Sequence, residues 1–203
     1  MQTLGLQAKQ RRQSKPTTTR SDPTARFAPN VLKRDVTATC PNTRWVADTT
    51  AIPTTEGWLY LAVVLDLFSR MVVGWAMAET EDEQLVTLAF QMALARRHPQ
   101  AGLLHHSDRG SEDTSLGYQT LLARLGMEVS MSRTANCYDN AAMEAFFDTL
   151  KSECVTRTHS QSRTQARSTI FEYLECFYVR PVQPKLALTS EGMAGKDMNL
   201  DNS

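Results

Sequence analysis

The sequence predicts an α/β domain whose mixed sheet joins an antiparallel hairpin to parallel strands and carries helices on both faces. Three observations point there. Three strand-like segments come first, and helix-like and strand-like segments then alternate, the order that builds parallel additions onto a sheet. Residues 57–79 are almost continuously apolar, which a sheet tolerates only when both faces are covered. The chain has 203 residues, 41% apolar and 22% charged, within the range of globular domains and long enough for one core plus an appendage.

Residues 1–40 read as a basic, largely extended arm. The stretch "QAKQRRQSKPTTTRSDPTARFAPN" (7–30) has three prolines and no apolar period. Residues 1–40 hold eight Lys/Arg against two Asp, whereas 41–203 hold fourteen against twenty Asp/Glu. A basic arm on an acidic body suits phosphate contact and equally suits a solvated terminus. Residues 41–180 form the domain and 181–203 a tail. Within the domain, 43–52 has the β-branched and aromatic residues of a strand. The segments 57–69 and 70–79 make the hairpin, turning near Ser69 and Arg70, with Asp66 and Arg70 read as a structural ion pair across the turn. Acids at the start of 80–99 and Arg96 and Arg97 at its end match helix polarity. Residues 101–108 form a short strand ending at Asp108, 114–126 a helix closed by Gly126, and 127–132 another strand. A helix runs from about Asp139 to Val155 and a last one over 162–178. Trp45, Trp58 and Trp75 lie in strands and read as core.

Several classes are excluded or disfavoured. The four cysteines form no C-x-x-C pair, and the four histidines are not spaced with them as zinc ligands. The N-terminus lacks the apolar stretch of a secretory signal, and Asp66 and Arg70 interrupt the one apolar region long enough to suggest a membrane span. A reducing cytoplasmic setting with free thiols and no membrane is the expectation.

Three acids stand out by position. Asp48 lies in a strand, Asp108 at a strand's carboxyl end where such sheets bind ligands, and Glu144 on a helix. In "CYDNAAMEAFFDTLKSE" (137–153), Asn140, Glu144, Asp148 and Lys151 share one face, while Met143, Phe146, Phe147 and Leu150 share the buried one. Hard divalent ions prefer carboxylate oxygens, and a pair of them serves phosphodiester chemistry.

The words around these acids, "RWVADTTAIPTTEGWLYLAVVLDLFSRMVVGWAM", "HHSDRGSEDTS" and "SMSRTANCYDNAAMEAFFDTLKSE", resemble the catalytic core of DDE transposases of bacterial insertion sequences. More narrowly, they resemble the second-frame transposase of the third insertion-sequence family, related to retroviral integrases. The resemblance implies a ribonuclease-H-like fold and DNA strand cleavage and strand transfer. It further implies two Mg²⁺ ions (Mn²⁺ substituting) on Asp48, Asp108 and Glu144 as catalytic and metal-binding acids, with transposon ends and target DNA as partners of a homo-oligomer. Asn140 then has two readings, helix cap or hydrogen bond to DNA or metal-bound water; Lys151 is a phosphate contact or a solvated charge, as are Arg109 and Arg133. Asp148 reads as solvated, and His106 as a satisfied strand-end histidine rather than a group orienting a carboxylate. The three carboxyl groups are expected to converge, and with no metal to repel one another enough to raise a pKa. Two alternatives use the same residues: a truncated, non-catalytic transposase remnant that binds DNA or a full-length transposase, and a stand-alone ribonuclease-H-like nuclease.

Overall fold

Apolar runs bounded by turns become the strands β1 (Arg44–Thr54), β2 (Gly57–Asp66) and β3 (Val72–Ala78), a consecutive antiparallel meander. The computed structural model describes residues 28–33, 35–108, 115–132, 140–155 and 162–178. Two short strands, β4 (Leu104–Ser107) and β5 (Glu128–Met131), add in parallel on the other side of β1, giving the order β3-β2-β1-β4-β5. The crossovers are the helices α1 (Glu83–Arg97) and α2 (Leu116–Arg124). Two further helices follow, α3 (Ala141–Leu150) and α4 (Arg163–Tyr173), each running on into a π-helical turn, Lys151–Val155 and Leu174–Tyr178.

Period-2 alternation splits the core between the two faces. Val46, Leu61, Val63 and Leu104 meet α3 and α4 on one side, through Met143, Phe146, Leu150 and Ile170. Trp45, Ala62, Val64 and Val73 meet α1 and α2 on the other, through Leu85, Phe90, Tyr118 and Leu122. The predicted class, a mixed sheet with helices on both faces, is the observed one.

Local chemistry sets the helix ends. The Asp82 carboxylate caps α1 by accepting from Leu85 N–H at 3.0 Å, and Ser162 caps α4 in a capping box with Gln165. Gly126 takes φ +66° after α2, and Met127 N–H returns to the Leu122 carbonyl, the close that only a residue without Cβ adopts freely. Gly74 matters through its lack of bulk: a Cβ there would lie 2.1 Å from the Ala89 carbonyl oxygen and 2.6 Å from Ala93 N, so α1 rests directly on the β3 backbone.

Three expectations are corrected. The end of the predicted arm is not extended: Asn30 Oδ1 accepts from Lys33 N–H in a tight turn, and Leu32, 2% exposed, enters the core beside Val46 and Leu104. Asp66 and Arg70 form no ion pair. The buried Asp66 carboxylate accepts from Ser69 N–H, Ser69 Oγ–H and Asn42 N–H, while the Arg70 guanidinium reaches the Val36 carbonyl. Backbone donors at a tight turn out-compete a flexible cation. Trp58 is 49% exposed, on the face of β2 opposite the buried Leu59; Trp45 is core, and Trp75 is half-buried with its indole N–H on Glu175. Cys40, Cys154 and Cys176 are free thiols. Among the described residues no helix is long and apolar enough to cross a membrane.

His105 sits inside the α1/α2 core, edge-on to Phe90 and 2.9 Å from the Tyr118 hydroxyl. Burial first, and the neighbouring His106 second, push its imidazole down to about 3. The unfolded chain therefore binds the extra proton at any pH between roughly 6.5 and that value, and stability is lost as pH falls through this window. In His105→Phe, chemical denaturation should show a fall in stability from pH 7 to pH 5 that is shallower than wild type by about 2 kcal/mol. Equal slopes would mean that His105 is not buried neutral.

Candidate active site

The site grows from the adjacency of β1 and β4. Val46 pairs with His106 in parallel register, so two residues further on Asp48 comes level with Asp108 across neighbouring strands. By alternation Asp48 faces the same side as Val46, the side that α3 covers. The buried stripe Met143, Phe146, Phe147 and Leu150 seats α3 there, with partly buried Glu144 in its first turn.

Electrostatics couple these groups. The Asp48 carboxyl is held well above the usual carboxylate range, by burial first and then by the Asp108 charge, with Glu144 and Glu81 adding to it; a hydrogen bond from Thr49 N–H at 2.8 Å opposes the rise. A raised pKa is expected from like charges; here burial is the larger cause and the charges add to it. Convergence is incomplete, however: among the described residues no three His, Cys, Asp or Glu side chains are gathered closely enough to hold a metal ion. Two hollows, about 510 Å³ beside Trp75 and Phe171 and about 280 Å³ beside Arg44 and Glu128, border none of the three acids.

Asn140 resolves between its readings in an unexpected way. It occupies the N-cap position of α3 but makes no capping hydrogen bond; its side-chain amide donates to Asp48 Oδ2 at 3.0 Å. Its Oδ1 is buried and has no protein partner. An unsatisfied buried carbonyl beside a raised carboxyl suits a bound water or cation. Together with the carboxylates, this donor set of hard oxygens fits a divalent metal such as Mg²⁺.

Lys151 lies at the junction of α3 with its π-helical turn, partly buried, about 10.5 Å along the axis from Glu144. Asp148 is exposed. Arg109 and Arg133 lie outside the described residues. One residue escaped the sequence reading. Glu81 accepts from Thr49 Oγ–H at 2.6 Å and adds its charge to the field on Asp48. Its signal was hidden, since acids at the start of a helix are explained by the helix dipole alone.

The described geometry has close relatives. Two family models, both named Integrase core domain, match residues 38–137 and 144–180; Asp48 and Asp108 fall in the first, and Glu144 opens the second. The transposase for insertion sequence element IS904 of Lactococcus lactis is 47% identical over 74% of this chain and 59% of its own length. Transposase InsF for insertion sequence IS3A of Escherichia coli K12 is 44% identical over 87% of this chain and 61% of its own. The chain thus spans about 60% of the length of these curated relatives. Among solved structures, a simian T-cell lymphotropic virus intasome in complex with PP2A regulatory subunit B56 gamma matches with TM-score 0.59 at 16% identity, covering 88% of this chain and 67% of that one. The HTLV-2 integrase catalytic core domain in complex with magnesium matches with TM-score 0.53 at 17% identity, covering 68% and 86%. At such identities the likeness is one of fold, the ribonuclease-H-like fold of integrase catalytic cores.

Proposed function

This chain belongs to the integrase-core family, and from that premise we propose that it carries the catalytic centre of an insertion-sequence transposase, cutting DNA strands and joining them to new ones. The observation that carries the proposal is Asp48, a strand carboxyl on which the charges of Asp108 and Glu144 bear from a neighbouring strand end and a facing helix. Such an arrangement is costly unless a cation is meant to offset it.

Asp48, Asp108 and Glu144 would hold Mg²⁺, with Mn²⁺ as a substitute and room in the chemistry for two ions. When bound, the metal supplies Lewis acidity that favours the ionised form of the attacking hydroxyl and offsets charge on the phosphate. Asn140 orients Asp48, and its buried Oδ1 has no protein partner. Glu81 fixes Thr49, whose N–H steadies the other Asp48 oxygen. In cleavage, a water oxygen forms a bond to phosphorus and the bond to the bridging oxygen breaks, releasing a 3′-hydroxyl and a 5′-phosphate. In transfer, that 3′-hydroxyl is the attacking group and one phosphodiester replaces another. Lys151, Arg109, Arg133 and the basic residues of 1–40 would contact phosphates, a contribution that salt weakens. A homo-oligomer acting on transposon ends and target in the cytoplasm completes the reading.

The test is strand cleavage of a duplex carrying the DNA sequences on either side of the gene, assayed with the purified chain. Cutting with Mg²⁺ and none with EDTA is expected. Faster cutting of an RNA–DNA hybrid would favour a stand-alone nuclease. Salt-sensitive DNA binding with no cutting under any divalent ion would mark a non-catalytic remnant.

A further inference from the structure

Beneath Asp108 lies a buried polar chain that begins outside the sheet. Ser130 Oγ accepts from two backbone donors of the N-terminal segment, Val31 N–H at 2.9 Å and Leu32 N–H at 3.1 Å. Both lone pairs of a hydroxyl are then occupied, and only its own proton is left to offer. Ser130 must therefore donate to His106 Nδ1, 2.8 Å away. An imidazole that accepts at Nδ1 carries its proton on Nε2, and that nitrogen donates to Ser132 Oγ at 3.1 Å. Ser132 N–H in turn donates to the Ser107 carbonyl at 3.0 Å, and Ser107 Oγ–H reaches the Asp108 carbonyl at 3.2 Å. His106 and Ser130 are fully buried and register partners on β4 and β5; Ser132 and Ser107 are buried too.

We propose that Ser130 and His106 are positioning residues: they transmit the docking of residues 29–32 to the strand end that carries Asp108, so that the chain preceding the domain sets the geometry of the metal-binding acids. As far as Ser132 the direction of each hydrogen bond is fixed from the segment inward, and the two bonds beyond it end on carbonyl oxygens, which can only accept, so the chain has one low-energy arrangement. It is tied down at its outer end by Leu32 in the core and by Met131 N–H on the Pro29 carbonyl. Removing the segment's two donors would free the Ser130 hydroxyl to turn, and with it the proton that holds His106 in one tautomer. Buried networks of this kind specify one conformation when fully satisfied. Partners behind a metal ligand commonly alter its affinity by about 10–100-fold. The inference rests on the assignment of Asp108 as a metal ligand.

Four measurements on the full chain test it. Ring nitrogen shifts of His106 should report the Nε2–H tautomer, and the Val31 and Leu32 amides should exchange slowly; an Nδ1–H tautomer overturns the proposal. Mn²⁺ affinity, read from the free-ion electron paramagnetic signal, should weaken about tenfold in Ser130→Ala. Tyr118→Phe is the control, since it removes a buried hydrogen bond to His105 on the opposite face of the same strand. It should lower the melting temperature and leave Mn²⁺ affinity unchanged. His106→Gln, whose amide can still donate towards Ser132, should recover part of the affinity that His106→Leu loses. Wild type that binds Mn²⁺ no better than Ser130→Ala overturns the relay alone. Wild type that binds no Mn²⁺ overturns the catalytic assignment, and the relay with it.

Discussion

Asp48→Asn is expected to reduce metal-dependent strand cleavage by roughly 10³-fold, about 4 kcal/mol of transition-state stabilisation, while the metal-free protein becomes no less stable. The two halves of this result have one cause. Asp48 is buried, and lies within the fields of Asp108, Glu144 and Glu81; its carboxyl is raised because burial first and those charges second disfavour the ionised form. A neutral amide removes the repulsion. Its oxygen can keep the Thr49 N–H, and its NH₂ can meet Asn140 Oδ1, the buried oxygen that lacks a partner, once the Asn140 amide turns over. The hydrogen bond between the two residues is therefore kept as a carboxylate ligand to metal is lost, and the buried position without a partner passes from Asn140 Oδ1 to Nδ2. Asp108→Asn and Glu144→Gln should silence cleavage similarly. Gel assays for cleavage beside thermal melts without metal check the pair of outcomes. A variant that cuts at the wild-type rate removes its residue from the catalytic set, and an Asp48→Asn protein that melts well below wild type refutes the account of strain.

Gly74→Val is expected to cost about 3 kcal/mol or more in stability, lowering the melting temperature by roughly 6–12 °C. The obstructing atoms are the Ala89 carbonyl oxygen and Ala93 N, helix backbone that cannot swing aside as a side chain can. Either α1 lifts from β3, opening the Val73–Phe90 core, or the strand distorts. Gly117→Ala is the contrast: its nearest obstacle is the Glu83 carboxylate, the far end of a flexible side chain, so about 1 kcal/mol or less is expected. Calorimetry of the two variants separates backbone obstruction from glycine loss in general, and equal costs would refute it.

The sheet was legible because its strands announce themselves by unbroken apolar runs and β-branched residues, and α3 by a four-residue apolar stripe on one face. That Asp108 and Glu144 bear on Asp48 was not legible in that pattern; it was expected only from the resemblance of the words around the three acids to a known family. Glu81 was not legible. Its partner Thr49 is 32 positions away, and no local period links them. Leu32 was missed for a similar reason: one leucine in a polar, basic stretch gives no stripe, and its burial depends on a serine 98 positions further on. Asp66 misled because sequence shows a nearby arginine but not the backbone donors of a closed turn. Local patterns thus reveal elements, and contacts across long separations remain hidden.

Of the three acids proposed to hold metal, the meander β1–β3 supplies Asp48, the end of β4 after the first crossover Asp108, and α3 Glu144. The shortest run of chain holding all three, from residue 48 to residue 144, spans every strand of the sheet and both of its crossovers. Chemistry therefore cannot be inherited by a fragment. A polypeptide stalled, cleaved or shifted out of frame before α3 keeps part of the scaffold and none of the complete constellation, so for a protein that would break DNA, harm from unfinished copies is excluded by topology rather than by any inhibitor.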